Sequence, residues 1–328
     1  MSWKVPFFDL VLGDEEKQAV LNVIESNWLT AGPRIVDFES AFSAATGGEP
    51  QSVAVSSATA ALHLSLLALG IGPGDEVIVP SLTFVACANV IRYVGATPVF
   101  ADVTNELDWN ISPADVAAKI TPRTRAIIFF SNKNMTIGEG CMVISCNQKL
   151  VERLRILRSH GITASTYQRF RDHAYGYDAA ELGYNYRLDE IRAAIGIEQL
   201  RKLSVFNTLL KERVERYRRL IAEMLPQVHI PFTKRTADSS FHIFPVLLPG
   251  NEEVRNNALH SMAQQGVQCI IDYSSIHTFS AYQGVSANGP VTNSIASLIL
   301  TLLLFPSLSN AQMDNVIEEL QVCIQSEE

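Results

Sequence analysis

Lys133 stands in the run Phe129-Phe130-Ser131-Asn132-Lys133-Asn134-Met135-Thr136-Ile137-Gly138-Glu139-Gly140, between an apolar strand-like stretch and a Gly-rich turn. An amine placed at the end of a strand suits covalent chemistry, because lysine becomes a nucleophile only when its ammonium is desolvated or crowded by positive charge. A solvated loop lysine accounts for the same residue taken alone. Ser56-Ser57-Ala58-Thr59 lies between a strand and a helix start. Free backbone N–H groups and the positive end of a helix dipole favour an anion there, and the hydroxyls add donors; ordinary N-capping explains these residue types equally well. Phe84, in Pro80-Ser81-Leu82-Thr83-Phe84, opens the next helix at the carboxyl edge of the sheet, where ligands of open α/β folds gather. An aromatic at that point also serves as core. In Gly183-Tyr184-Asn185-Tyr186-Arg187-Leu188 the Asn and Arg either cap the following helix or face a ligand.

The elements that must position these residues are legible as alternating patterns. Residues 15–26 carry apolar side chains at Ala19, Val20, Val23 and Ile24, the spacing of an amphipathic helix. A turn at 28–33 and a second helical stretch to about residue 45 follow. From residue 52 short apolar runs alternate with helical ones: strands at 53–55, 76–80, 97–102 and 125–130, helices at 59–69, 83–94 and 113–120. Strands this apolar between helices predict a mostly parallel sheet covered on both faces. Beyond Lys133 the pattern predicts a strand at 142–146, a helix at 148–159 and a long helix from 188 to near 224. Strands at 241–248 and 267–273, with helices at 253–265 and from 312, have the look of a separate small α/β domain. The expected division is a large domain over 1–205 and a small one over 206–328.

A chain of 328 residues with 47% hydrophobic and 18% charged residues is long and apolar enough to bury a substantial core. Its formal charge of −8 argues against nucleic acid as the main partner. Cys87, Cys141, Cys146, Cys269 and Cys323 are scattered without a CxxC, which reads as reduced thiols. The seven histidines show no metal-ligand spacing. The apolar tract at 295–305 is too short to span a bilayer. The expectation is a soluble cytoplasmic protein with no metal and no membrane contact.

Taken in order, these motifs resemble the DegT/StrS family of sugar aminotransferases, which use pyridoxal phosphate. The family's Schiff-base loop reads as two aromatics, two variable residues, Lys-Asn, a Thr/Gly stretch and Glu-Gly-Gly. It is matched by Phe129, Phe130, Lys133, Asn134, Thr136, Gly138, Glu139 and Gly140, with Cys141 at the last glycine. The resemblance runs from Pro6 to about Leu320 and implies a fold type I PLP-transferase, active as a homodimer with shared sites. It implies that Lys133 is the catalytic residue and covalent anchor of the cofactor. Ser57, Ala58 and Thr59 would hold the phosphate, Ala58 replacing the usual glycine. Phe84 would stack on the pyridine ring, and Asn185 would reach the phosphate of the partner subunit. Arg187, Tyr273 and His277 would face the substrate. The implied reaction moves an amino group from a donor such as glutamate to a keto group on a nucleotide-linked sugar, for polysaccharide or natural-product glycosylation.

One part of the family's pattern is missing. Arg125-Ala126-Ile127-Ile128 runs straight into the lysine loop, where the family carries a further helix, a strand ending in an Asp-x-Ala-x-Gln/His motif, and a loop. A piece of this kind is roughly fifty residues at usual element lengths. Its carboxylate normally keeps the cofactor's ring nitrogen protonated. Asp102 and Asp108 are the nearby acids, and neither matches the family's position, so weakened cofactor binding and lower turnover are expected. The shortened sheet would stay continuous if residues 125–130 formed one merged strand pairing on both sides. Two other readings stay open: a catalytically inactive relative acting as a binding or structural subunit, and a PLP-dependent sugar dehydratase. The dehydratase is disfavoured because members with that chemistry tend to lose the lysine.

Overall fold

Amphipathic periodicity opens the chain with α1 (Asp14–Glu25) and α2 (Pro33–Ala45), followed by β1 (Gln51–Val55) and α3 (Ala58–Ala68). Next come β2 (Glu76–Pro80), α4 (Ala86–Tyr93), β3 (Thr97–Ala101), a hairpin of β4 (Val103–Asn105) and β5 (Asp108–Ile111), α5 (Pro113–Lys119) and β6 (Thr124–Ile127). The second half holds β7 (Cys141–Ser145), α6 (Gln148–Leu157), α7 (Thr166–Arg171), α8 (Glu190–Met224), β8 (Phe244–Leu247) and α9 (Glu252–Gln264). After two 3-10 turns, at Ile276–Thr278 and Ser280–Tyr282, α10 (Pro290–Leu298), β9 (Ile299–Leu302) and α11 (Asn310–Gln325) complete it. This computed structural model describes residues 3–128, 134–163, 166–171, 176–233, 239–285 and 287–325. Among them no helix is long and apolar enough to cross a membrane.

Local chemistry sets where the helices start. Ser57, Ser112, Asn147, Asp189 and Asn251 each accept a hydrogen bond from a first-turn backbone N–H of α3, α5, α6, α8 and α9, the usual N-cap device. Helix α2 begins at Gly32, which offers no side chain. Its first-turn donors are instead met by buried Glu190 of α8, which accepts from the backbone N–H of Gly32, Arg34 and Ile35 at 3.0, 2.9 and 3.1 Å.

The strands form separate small sheets. β2 is central in a parallel trio ordered β3-β2-β6, and β1 pairs antiparallel with β7 from Gln51↔Ser145 to Val55↔Cys141. β8 and β9 pair antiparallel, as do β4 and β5. Over its described part, 125–128, the merged strand expected at 125–130 is not seen to pair on both sides. Among the described residues β6, four residues long, ladders only with β2, and β7 ladders only with β1. Pairing on both sides needs a strand set between the two edges, and no described segment supplies one. Phe129 and Phe130 lie outside the described residues. The strand expected at 267–273 is also replaced by two single bridges, Val5↔Val267 and Ile270↔Thr301; one pair to each neighbour makes no ladder.

Packing follows the split. One cluster gathers β2, α4 and Phe100 of β3, and another gathers β1 with α3 and α6. Helix α3 joins them, giving Leu66 to the first and Ala60, Ala61 and Leu64 to the second. A helix apolar on nearly every side suits such a sandwiched position. A third and larger cluster packs the second half of α8 with α9, β8, β9 and α11. Helix α8 runs unbroken for 35 residues, so the division expected at 205/206 falls inside it.

Candidate active site

Two groups of residues stand at the carboxyl ends of β1 and β2. The first surrounds the end of β1. Ser56 donates its N–H to the Tyr186 carbonyl at 2.9 Å, and Val55 bridges Arg187. The Ser57 hydroxyl accepts from Ala60 N–H at 3.1 Å and so starts α3. Ala58 is exposed and Thr59 half-buried, and the Thr59 hydroxyl makes no hydrogen bond among the described residues. The N–H groups of Ala58 and Thr59, the first of an eleven-residue helix, have no partner among the described residues and lie next to this hydroxyl in the chain, the arrangement that holds phosphate.

Asn185 and Arg187 reach this place because residues 183–187 run against the end of α6. Tyr184 N–H donates to Leu157 O at 2.7 Å, His160 N–H to Tyr184 O at 2.9 Å, and Tyr186 N–H to Arg158 O at 3.0 Å. The backbones of Gly161 and Gly183 touch there, and a Cβ on Gly183 would collide with Gly161. Asn185 is exposed, its side chain unbonded among the described residues. Arg187 is half-buried and donates to Ser159 Oγ at 3.3 Å. Burial, and then the like charge of Arg158, pull its pKa down. Arg158 is matched by Glu39, at 2.5 Å, whereas Arg187 has no carboxylate partner among the described residues. A cation left in this state favours an anion.

The second group lies at the end of β2. Phe84 is 52% exposed and its ring centre stands 6.4 Å from that of Tyr273. The chain returns here after α9 through the Leu82↔Ser275 bridge and a hydrogen bond from Ile276 N–H to Ser81 O at 3.0 Å. Burial, reinforced by Asp272 and Cys87, pushes the Tyr273 phenol well up, so it stays neutral and able to donate. His277 is engaged deeper: its Nδ1 shares a hydrogen bond with the Ser81 hydroxyl, and its ring stands 6.3 Å from Phe100. Burial lowers its pKa, opposed by Asp102 and aided by Lys119. No hydrogen bond or ring contact links the two groups among the described residues.

Lys133 lies outside the described residues, but the loop after it does not. Residues 134–140 are tied to α8 by Arg192, Gln199 and Asn207, none of which the sequence reading singled out. Their only signal was a polar residue recurring on a helix face otherwise carrying Ala and Ile.

Cofactor fit can be judged end by end. The start of α3 suits a phosphate, and the open Phe84 ring suits an aromatic ring. The ring-nitrogen end is different. Asp102 accepts from Val291 N–H, Thr292 N–H and the Thr292 hydroxyl at 3.1, 2.8 and 2.6 Å, capping α10. Burial works against its charge, but these donors outweigh burial and hold its pKa down. Asp108 holds Asn110 through its N–H at 3.1 Å and side-chain amide at 2.7 Å. Both acids are thus committed elsewhere.

Solved structures share the whole architecture. The aminotransferase TlmJ from Streptoalloteichus hindustanus is 28% identical over 98% of this chain and 99% of its own, with a TM-score of 0.89. Helicobacter pylori PseC, an aminotransferase involved in the biosynthesis of pseudoaminic acid, is 23% identical over 99% and 100%, with a TM-score of 0.88. NtdA from Bacillus subtilis, solved with bound cofactor PMP, is 24% identical over 99% and 86%, with a TM-score of 0.83. A family model matches residues 11–128 and 129–321, two stretches that meet where the sequence lacks the expected segment. With the fold of PLP-dependent aminotransferases end to end, the chain belongs to the DegT/DnrJ/EryC1/StrS aminotransferase family.

Proposed function

We propose that this protein transfers an amino group from an amino-acid donor such as glutamate to a keto group on a nucleotide-linked sugar, using pyridoxal phosphate anchored on Lys133. The observation that carries this reading is the start of α3, where the N–H groups of Ala58 and Thr59 and the Thr59 hydroxyl have no partner among the described residues. Ser57, Ala58 and Thr59 would bind the phosphate through hydroxyls and backbone N–H groups. Phe84 would seat the ring, with Tyr273 as a neutral donor at its edge. When bound, pyridoxal phosphate supplies the electron sink that lets the donor's Cα–H ionise. Lys133 Nζ would take that proton and return it within the site, a duty suited to an amine in a crowded pocket. Arg187 and His277 would meet the sugar side. Asn185, exposed and unbonded, would complete the site of a second protomer in a cytoplasmic homodimer.

The assay is formation of 2-oxoglutarate from glutamate with a panel of nucleotide-linked keto sugars, beside Lys133→Ala. Slow formation that depends on Lys133 is expected, slow because neither Asp102 nor Asp108 serves the ring nitrogen. That same observation favours a second reading, a cofactor-binding relative without turnover. Cofactor uptake with no 2-oxoglutarate from any sugar would select it.

A further inference from the structure

Three contacts between the loop 134–140 and α8 fall in a regular order. Asn134 Nδ2 donates to Asn207 Oδ1 at 2.7 Å and also to the Ser240 carbonyl. Thr136 N–H donates to Gln199 Oε1 at 3.4 Å. Arg192 Nη1 donates to the Glu139 carbonyl at 2.9 Å. As the loop advances the helix position falls, so the loop runs antiparallel to α8. The helix residues are seven and eight positions apart, which keeps them on one face of a helix with 3.6 residues per turn.

Lengths make this a tight arrangement. From Arg192 to Asn207 α8 advances by about 22 Å at 1.5 Å per residue. From Asn134 to Glu139 the loop reaches at most about 18 Å. The loop bends at Met135, Gly138 and Glu139, so its ends lie closer than this limit and the side chains of Arg192 and Asn207 close the remaining distance. None of residues 134–140 is fully buried, and besides these hydrogen bonds Met135 and Ile137 pack against the cluster of Ile35, Phe38, Leu188 and Ala193. The far ends of the contacts are fixed in turn. Gln199 is buried and donates to Val11 O at 3.0 Å and Glu16 Oε1 at 2.8 Å. Arg192 pairs with Asp189 at 2.7 Å and also donates to Ser56 O at 3.3 Å, the residue leading into the start of α3.

We propose that Arg192, Gln199 and Asn207 are positioning residues, one polar face of α8 that sets the loop after Lys133 against the phosphate-binding start of α3. The proposal rests on the aminotransferase reading above and adds what fixes the spacing between its two halves. Errors near 1 Å in such spacing can cost about a hundredfold in rate.

Amide hydrogen exchange of the cofactor-free protein tests this without any cofactor. Arg192→Ala and Asn207→Ala are expected to speed exchange across 135–140 at least tenfold, whereas Arg201→Ala, on the exposed side of α8, leaves it unchanged. Arg192→Lys keeps the charge beside Asp189 but loses the planar fork. It should recover the melting temperature of Arg192→Ala but not the loop's protection. With PLP added, the two alanine variants should give at least fivefold less borohydride-trapped cofactor on Lys133 at limiting PLP. Unchanged exchange in the alanine variants, or full recovery of protection by Arg192→Lys, would overturn the proposal. Wild-type protein that takes up no PLP would instead defeat the aminotransferase reading, and the exchange result would still decide the role of α8.

Discussion

Thr59 offers the sharpest test at the scale of single residues. Its hydroxyl has no partner among the described residues at a helix start, so Thr59→Val removes a donor to an anion and none of the described contacts of the fold. A hydrogen bond to a charged group is worth about 1.5–3 kcal/mol. Thr59→Val should therefore weaken PLP binding roughly tenfold or more by fluorescence titration, with the melting temperature unchanged. Gly183 behaves in the opposite way. A methyl there meets the Gly161 backbone, so Gly183→Ala should destabilise by on the order of 3 kcal/mol in urea unfolding. It should also displace Asn185 and Arg187. The sequence made residues at both ends of this site legible, because the start of α3 and the turn at 183–187 are short local motifs. It did not reveal that Asp102 caps α10, since the partners Val291 and Thr292 lie nearly two hundred residues away in sequence.

Among elements, the junction of α1 and α8 carries the clearest dependence on pH. Burial raises the Glu16 carboxyl pKa, but hydrogen bonds from Lys202, Gln199 and Gly13 outweigh it and hold the group at about 2. A carboxylate depressed in the fold gives stability that is full above its unfolded value near 4.5 and is lost as pH falls toward 2. The full effect is about 3 kcal/mol. Glu16→Gln should accordingly flatten the loss of stability between pH 4.5 and 2 in urea titrations. A curve as steep as wild type would remove Glu16 as the cause. Most elements were legible from periodicity, α1, α2, α3 and β2 within a residue or two. The tract 295–305 was not assigned, because helix α10 passes directly into strand β9 at Leu298 and Ile299. A continuous apolar run does not distinguish a buried helix from a strand. The β4–β5 hairpin was missed as well: two very short strands closed by Asn105 and Asp108 show little alternation.

For the whole molecule, pairing across the sheet was the least legible property, since it joins segments far apart in sequence. Local apolarity suggested a merged strand at 125–130, yet among the described residues β6 and β7 each keep a single ladder. Large apolar side chains lie open over the first 36 residues, among them Phe8, Leu10, Leu21, Ile24 and Val36. An apolar surface of this extent favours self-association. Light scattering after size exclusion should give twice the 36.1 kDa chain mass, and a monomer at micromolar concentration would leave Asn185 without a site to complete. On the proposed function, Lys133 anchors pyridoxal phosphate. The direct measurement is an absorbance spectrum with added PLP, before and after borohydride, followed by peptide mass spectrometry and repeated on Lys133→Ala. A visible band that borohydride bleaches, leaving the cofactor's mass on Lys133, is predicted. No band in the wild type, or an equal band in Lys133→Ala, would contradict it.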